Sequence, residues 1–207
     1  MLWYRGGAGR VQALNGRQAG SVLKYLKGIG DRRNTLLWAL GTTTGLRISD
    51  LLRLRVCDLK DVDDRIARTF EVRESKTGKT RVVHLMAVAR EALADYIEGE
   101  RPTDDDYLFP SPKGERPITR EQARRLIKGW CSAVNLKGTF GTHTLRKTFA
   151  TIAYANSGSD PVATARVTGH SNPAQLLRYI GQATKLSWKY SGQWTGRLAH
   201  SPPGRDS

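Results

Sequence analysis

Six residues of this chain have side chains that suit chemistry at a phosphate diester, and each lies in a short motif. They are Arg47, Lys76, His143, Arg146, His170 and Tyr179. Two guanidiniums can each donate paired hydrogen bonds to the non-bridging oxygens of a phosphate and stabilise the charge of the transition state. A tyrosine hydroxyl can attack phosphorus and form a covalent phosphotyrosine if a neighbouring histidine takes its proton. A lysine can return a proton to the leaving oxygen, so this chemistry requires no metal ion.

Each motif taken alone also has an ordinary structural explanation. Arg47, in TGLRISD, could be a surface charge at a helix start, and Lys76, in SKTGK, a solvated turn residue. His143 and Arg146, in HTLR, are three residues apart and therefore lie on the same face of a helix. Tyr179, in LLRYIG, would be equally natural in a hydrophobic core. Only the combination of these motifs in one basic chain favours phosphoryl transfer.

Most of the secondary structure predicted around these residues is helical. Capping and periodicity predict helices over about 17–28, after Asp31, over RISDLLRLR, over 87–98, 119–130 and 142–156, and after Asp160-Pro161 and Asn172-Pro173. Alternating apolar residues on both sides of SKTGKT predict a β-hairpin over 66–85 with lysines at its tip. The segment DDDYLFPSPKG is predicted to be a loop. The predicted fold class is mainly α with one small antiparallel β-sheet, an α+β fold.

The charge of the chain points to a polyanionic partner. The net charge is +15 and the pI about 10.3, although residues 61–110 hold 8 basic and 12 acidic residues. Nucleic-acid binding is favoured over an anionic membrane surface, because no strongly amphipathic basic helix is present. The chain has no long apolar run and no signal-peptide pattern, which predicts a cytoplasmic protein. Cys57 and Cys131 are predicted to be small core residues in a reducing compartment.

In their order and spacing, TGLRISD, SKTGK, HTLR, TGHS and LLRYIG resemble the motifs of the tyrosine recombinase, or phage integrase, family over about residues 15–181. The resemblance implies the catalytic-domain fold of that family. It also implies site-specific recombination, in which DNA is cleaved and rejoined through a 3′-phosphotyrosine link without a cofactor or metal. The implied roles are phosphate binding by Arg47 and Arg146, general acid for Lys76, base for His143, a phosphate hydrogen bond for His170, nucleophile for Tyr179, and partner of the active-site basic residues for Asp50.

The chain departs from the pattern of the family in two respects. Thr168 stands where the family often has leucine before Gly-His, and we expect this to change packing only. Many members also carry an N-terminal helical domain, so the chain is either a fragment of a longer integrase or a compact member resembling the fimbrial phase-variation invertases. The predicted organisation is an arm over 1–14, a catalytic domain over 15–181 and a C-terminal segment over 182–207. In that last segment Trp188, Tyr190 and Trp194 could contact a neighbouring protomer or cover the core of their own protomer, before a disordered tail.

The expected partner is double-stranded DNA carrying a specific recombination site. Four copies are expected to assemble on synapsed DNA, whereas the free chain is expected to be a monomer or weak oligomer, nucleoid-associated and encoded by a bacterium, phage or mobile element. The helix over 119–130 resembles the family helix that lies in the major groove. Further expected DNA contacts are Arg53, Arg55, Lys79, Lys113, Arg120, Arg124 and Arg125. The alternatives are a type IB topoisomerase that relaxes DNA without sequence specificity, and a DNA-binding regulator that no longer cuts.

Overall fold

The computed structural model describes residues 11–112, 114–170 and 172–181 of the chain. The predicted anchors Trp188, Tyr190 and Trp194 and most of the N-terminal arm lie outside these residues. The helices are α1 (Gly16–Gly28), α2 (Arg32–Thr44), α3 (Ile48–Leu51), α4 (Ala87–Glu100), α5 (Arg120–Ala133), α6 (Thr142–Asn156), α7 (Pro161–Thr168) and α8 (Pro173–Ile180). The strands are β1 (Thr69–Arg73), β2 (Thr80–His84), β3 (Pro110–Ser111) and β4 (Gly114–Pro117). Among the described helices none has the length and apolar character needed to cross a bilayer.

Local capping explains why most helices begin where the sequence predicts. Asn15 and Gln18 form a reciprocal capping box at the start of α1, with hydrogen bonds of 2.9 and 3.0 Å. Thr119 caps α5 in the same way, and Asp160 caps α7 immediately before a proline. The structure is mainly helical, and β1 and β2 form the expected antiparallel hairpin, in which Thr69 pairs with His84. These features confirm the expected fold class.

Two predicted elements differ in the structure because tertiary pairing overrides the local pattern. The third helix is only four residues long, since the following segment forms backbone hydrogen bonds with the loop before β3. In these bonds Leu108 donates to Leu54 and Val56 donates to Asp106. The segment DDDYLFPSPKG is mostly a loop, as predicted, but Pro110–Ser111 within it form β3, which pairs with β4 as a second two-stranded sheet.

The two cysteines also differ from each other. Cys131 is fully buried in α5, as predicted, whereas Cys57 is exposed at the start of a short 3-10 helix, so the prediction that it is a core residue was wrong. The 3-10 helix buries Leu59 and leaves Cys57 exposed. Because its side chain is exposed, Cys57 does not contribute to the packing of the core.

The main hydrophobic core surrounds α2, which is buried from Asn34 to Thr44. Trp38 packs edge-on against Trp130 with ring centroids 5.9 Å apart, and its indole N–H donates to the Ala19 carbonyl. Three consecutive threonines at the end of the helix donate their hydroxyls to the carbonyls four residues earlier, so these buried polar groups are satisfied. A buried, satisfied helix is a firm support for the turn that follows it.

A second, smaller apolar cluster is formed by α6, α7 and α8. Its buried residues are Ala150, Ala165, Leu176 and Ile180. Tyr154 and Tyr179 pack against it from the side. The candidate catalytic residues therefore lie where this C-terminal cluster meets the end of α2 and the β1–β2 hairpin.

Gly45 ends α2 in a left-handed conformation, with φ of 63°, and its environment excludes any side chain. A Cβ at this position would lie 2.2 Å from Cδ1 of Phe149. We therefore expect Gly45→Ala to lower the free energy of unfolding by about 2–4 kcal/mol, the sum of backbone strain and overpacking. Thermal unfolding measures this, with Gly20→Ala in α1 as control, because a Cβ there meets nothing within 4 Å. Equal stability of the two variants would contradict the packing described here.

Candidate active site

Arg47 is held at the start of α3 by a buried carboxylate from the hairpin. Its Nη1 donates a 2.6 Å hydrogen bond to Oε2 of Glu74, which follows β1 directly and also accepts from the Thr77 hydroxyl at 2.9 Å. Burial opposes ionisation of Glu74, but these hydrogen bonds and the nearby Arg81 charge outweigh it, so its pKa lies below the ordinary value. The other N–H groups of Arg47 have no hydrogen-bond partner among the described residues. They are therefore available to an anion.

Arg146 lies buried between the end of α2 and the end of α7. Its Nη1 donates to the carbonyl of Gly45 at 2.5 Å and its Nη2 donates to the carbonyl of Thr168 at 2.7 Å. Burial and then the charge of Arg47 lower its pKa. A buried guanidinium bonded only to neutral carbonyls keeps an uncompensated positive charge, which favours an incoming anion.

Arg81 is a third arginine at this junction, and the sequence interpretation assigned it no role. From β2 it donates to the carbonyl of Val167 at 2.8 Å and to that of Thr44 at 3.4 Å, and its Nε lies 3.8 Å from Oε1 of Glu74. Its pKa is lowered, mainly by burial. Arg81 thus ties the hairpin to the ends of α2 and α7, the elements that carry Gly45 and His170.

Lys76 is exposed at the tip of the hairpin, and its neighbours attach that tip to α3. The buried carboxylate of Asp50 accepts hydrogen bonds from the backbone N–H of Ser75, at 3.0 Å, and from its hydroxyl. Asp50 also lies 3.4 Å from Nη2 of Arg53. These hydrogen bonds join Asp50 to the hairpin and to Arg53. The expected role of Asp50 as a partner of the active-site basic residues stays a prediction.

His143 lies near the start of α6, at the surface, although Arg146 three residues later is buried. Its Nε2 is 3.4 Å from Nη2 of Arg120 in α5. Because a guanidinium only donates, Nε2 is the acceptor. Desolvation and the charges of Arg120, Lys147 and Arg146 lower the pKa of His143, so the ring is neutral at pH 7.

His170 and Tyr179 pack against each other, with ring centroids 5.0 Å apart. His170 follows Gly169, which ends α7 in a left-handed conformation with φ of 67°. Its Nδ1 is 2.6 Å from the hydroxyl of Thr168. Thr168 stands at the position before Gly-His where the family often has leucine. Thr168 is fully buried and also receives Arg146 on its carbonyl. The expectation that this replacement changes packing only was therefore wrong.

The hydroxyl of Tyr179 is buried and has no hydrogen-bond partner among the described residues. Burial raises its pKa to about 12, while the charges of Arg146 and Arg47 act in the opposite direction. Nζ of Lys147 lies 5.4 Å from the centre of its ring. A buried, unsatisfied hydroxyl beside two guanidiniums is unfavourable in the free protein, and an arriving phosphate would give it a partner.

Arg146 lies close enough to four other predicted catalytic residues for their charges to interact. These four residues are Arg47, His143, His170 and Tyr179. The sixth, Lys76, is linked to them through Ser75 and Glu74. Among the residues that the structure describes, no cluster of three or more His, Cys, Asp or Glu side chains could hold a metal ion. Glu74 and Arg81 were missed, because a charged residue at a hairpin has no periodic signal to distinguish burial from exposure.

The other predicted DNA contacts have mixed environments. Arg53, Lys79, Arg120, Arg124 and Arg125 are exposed. Arg124 and Arg125 both pair with Glu121, which lowers the pKa of that carboxyl to about 2. The Arg55 guanidinium is committed to the ring of Tyr107, 4.4 Å away, and to the carbonyl of Asp105, so it is the weakest candidate. Lys113 lies outside the described residues.

The ion pair of Glu74 and Arg47 predicts a pH-dependent stability. Because the pKa of Glu74 is lowered by folding, its contribution is full above its ordinary value of 4.5 and is lost as the pH falls through the folded value. We expect Glu74→Gln to lower the melting temperature at pH 7, and this deficit to shrink at pH 4 and below. Glu91→Gln, at an exposed position of α4, is the control. A deficit that stays constant between the two pH values would contradict the ion pair.

Comparison with known proteins agrees with this geometry. The model of the phage integrase family matches residues 12–185. Probable integrase/recombinase YoeC of Bacillus subtilis (strain 168) is 33% identical over 165 residues, which are 78% of this chain and 86% of YoeC. Tyrosine recombinase XerC of Shewanella amazonensis is 33% identical over 149 residues, 71% of this chain, but the match spans only 48% of XerC.

A solved structure shows the same fold. XerH site-specific recombinase bound to its difH substrate, in a pre-cleavage complex, has a TM-score of 0.67 and 22% identity, over 84% of this chain and 54% of XerH. The matches to the family model and to YoeC each cover most of the chain, and the family match over residues 12–185 includes every motif that carries the six residues. This chain therefore belongs to the phage integrase family, and the part described here is a tyrosine recombinase catalytic domain.

Proposed function

We propose that this chain cleaves and rejoins double-stranded DNA at a specific site through a covalent 3′-phosphotyrosine link. The observation that carries the proposal is the position of Tyr179, packed against His170 and close enough to Arg146 and Arg47 for both charges to act on its pKa. The recombinase names of YoeC and XerC support the reaction class. The DNA-bound state of XerH supports DNA as the partner.

The scissile phosphate would bind between Arg47 and Arg146. Hydrogen bonds within the protein fix both guanidiniums. Arg47 donates to Glu74, and Arg146 donates to the carbonyls of Gly45 and Thr168. Each keeps N–H groups for the non-bridging oxygens. Because these donors are already oriented before DNA arrives, little reorganisation is required as charge develops in the transition state.

In the cleavage step the Oη of Tyr179 attacks phosphorus, so that an Oη–P bond forms as the bond from phosphorus to the 5′-oxygen breaks. Since the pKa of Tyr179 is about 12, the hydroxyl must lose its proton during the attack. His143, which is neutral at pH 7, is assigned as a proton acceptor. Lys76 protonates the leaving 5′-oxygen, and His170 hydrogen-bonds to the phosphate. Rejoining is the same sequence in reverse.

The wider DNA surface would be formed by the exposed basic residues of α5 and the hairpin, with Arg120 beside His143 linking this surface to the active site. Such residues neutralise phosphates and set the position of the duplex. The assembly proposed for recombination is four copies on synapsed DNA, in the cytoplasm and associated with the nucleoid. For residues 182–207 both expected roles stay predictions: contact with a neighbouring protomer, or cover of the core of their own protomer.

A covalent-trapping assay tests the proposed function. The protein is incubated with nicked DNA that carries sequences from the flanks of its own gene, and a denaturing gel then detects a protein–DNA adduct. The nick allows the short 5′ fragment to diffuse away, so that the phosphotyrosine accumulates. An adduct supports the proposal. DNA binding without any adduct on these substrates favours a regulator that no longer cuts, and relaxation of supercoiled DNA of any sequence favours a topoisomerase.

The net charge of +15 predicts that DNA affinity depends steeply on salt. Each phosphate neutralised by Lys or Arg releases counterions, so the dissociation constant for about six contacts rises by about 10³ between 50 and 200 mM salt. Fluorescence anisotropy with a labelled duplex measures this slope. A flat response would remove the argument for a basic DNA-binding surface.

A further inference from the structure

The hydroxyl of Thr168 makes two short contacts, and each of them requires a hydrogen between the two heavy atoms. One contact is 2.7 Å to the carbonyl of Thr164, four residues earlier in α7. The other is 2.6 Å to Nδ1 of His170. Both lie within hydrogen-bond distance, and Thr168 is completely buried, so no water competes for them.

A count of protons decides which atom donates in each contact. A threonine hydroxyl has one hydrogen and a carbonyl has none, so the hydroxyl of Thr168 must donate to Thr164. That hydrogen is then unavailable to His170. The second contact therefore requires a hydrogen on Nδ1 of His170, and Thr168 accepts it. In a neutral imidazole with a hydrogen on Nδ1, the other nitrogen, Nε2, carries a lone pair.

We propose that Thr168 is a positioning residue, which holds His170 in the Nδ1–H tautomer and so presents Nε2 to the active site as a hydrogen-bond acceptor. The consequence for catalysis rests on the function proposed above. Leucine, the residue often found at this position in the resembling motif, has no hydroxyl and could not set the tautomer in this way. The device is thus specific to chains with a hydroxyl at this position.

The surroundings of His170 keep the ring neutral at pH 7. Burial lowers its pKa to about 4, and the charged groups that face it are Arg146 from α6, Arg47 before α3, and Glu74 and Arg81 from the hairpin. Three of these four are cations, which disfavour an imidazolium. The uncharged ring of Tyr179 covers it from α8, at 5.0 Å between centroids.

A neutral Nε2 with a lone pair cannot donate to a phosphate oxygen, but it can accept a proton. The acceptor nitrogen of His143 already faces Arg120, whereas Nε2 of His170 has no partner among the described residues. The hydroxyl of Tyr179 makes no hydrogen bond to His170 in the free protein. In the DNA-bound state His170 is a second acceptor for the proton that Tyr179 loses as the Oη–P bond forms. Once protonated, the same Nε2–H donates to the phosphate, and the proton returns to Tyr179 when the strand is rejoined.

Nitrogen NMR of the DNA-free protein tests the tautomer directly. The chemical shifts of the two ring nitrogens distinguish a protonated from an unprotonated atom, and the His170 signals are assigned by their loss in His170→Asn. We expect a protonated Nδ1 and an unprotonated Nε2 in the wild type and in Thr168→Ser, which keeps the hydroxyl. Thr168→Val, of the same shape but without it, is expected to shift the ring towards the Nε2–H form. A wild-type ring with Nε2–H, or a Val variant with unchanged shifts, overturns the proposal.

The catalytic consequence is measured in the same variants with the suicide substrate. Without the correct tautomer we expect Thr168→Val to cleave at least about tenfold more slowly at equal DNA affinity, with the rate restored to within about threefold in Thr168→Ser. A Val variant with shifted NMR signals but an unchanged rate overturns the catalytic part. Circular dichroism checks folding, and Thr168→Ala replaces Thr168→Val if the latter does not fold. Absence of any adduct with the wild type would contradict the proposed function, while the NMR result would still decide the tautomer.

Discussion

Tyr179→Phe is expected to abolish covalent attachment to DNA completely, because the variant lacks the oxygen that forms the bond to phosphorus. DNA affinity should stay within about threefold of the wild type, since contacts to the phosphate backbone dominate it. Stability should be unchanged or higher by up to about 1 kcal/mol, because the lost hydroxyl is buried and unsatisfied in the described structure. The three effects together distinguish a nucleophile from a core tyrosine.

The measurement combines the trapping gel, anisotropy binding and thermal unfolding on one protein preparation. Tyr154→Phe is the matched control, since Tyr154 packs against the same apolar cluster. It should retain the adduct. An adduct that persists in Tyr179→Phe would show that another residue is the nucleophile.

Arg146→Lys is expected to have the second-largest effect, although it preserves the charge. Its two terminal guanidinium nitrogens reach the carbonyls of Gly45 and Thr168 simultaneously, whereas the donors of a lysine all lie on one nitrogen atom and cannot reproduce this planar arrangement. We expect the cleavage rate to fall by about 10²–10³, as when one oriented donor is lost from a transition-state site. We also expect about 1–3 kcal/mol less stability, because a buried carbonyl is left without its donor.

Single-turnover cleavage and thermal unfolding measure the two effects of Arg146→Lys. Arg32→Lys is the control, because Arg32 forms an exposed pair with Asp95 at 3.4 Å, and such pairs contribute about 0–1 kcal/mol. The assignment of Arg146 to the phosphate would be wrong if its lysine variant cleaved as fast as this control.

The two predictions also show how the fold separates catalysis from stability. The hydroxyl of Tyr179 has no partner in the described structure, so the native protein keeps a polar group in an unfavourable place. Arg146 is the opposite case, since its guanidinium supports the Gly45 turn as well as facing the site. Tyr179→Phe should therefore lose activity without losing stability, whereas Arg146→Lys should lower both the cleavage rate and the free energy of unfolding.

The candidate catalytic residues, their order and most of the helices could be predicted from local patterns in the chain. Capping signals such as Asn15 with Gln18, and a proline after Asp160, act within a few residues, so they can be read without knowledge of the rest of the chain. The same holds for the β1–β2 hairpin, because its turn and alternating pattern are local. The five motifs together, in one basic chain, were sufficient to indicate phosphoryl transfer.

The contacts between these residues could not be predicted, because they join segments that are far apart in the chain. Glu74 is 27 residues from Arg47, and Arg81 is 86 residues from the carbonyl of Val167, so neither contact leaves a local pattern. The second sheet and the shortened α3 likewise arise from pairing between distant segments, which overrides local propensity. Thr168 is a different case, because its hydroxyl contacts residues only four and two positions away, the carbonyl of Thr164 at 2.7 Å and Nδ1 of His170 at 2.6 Å. The residue type alone does not show whether a buried hydroxyl makes such contacts, so the proposed role of Thr168 was found only in the structure.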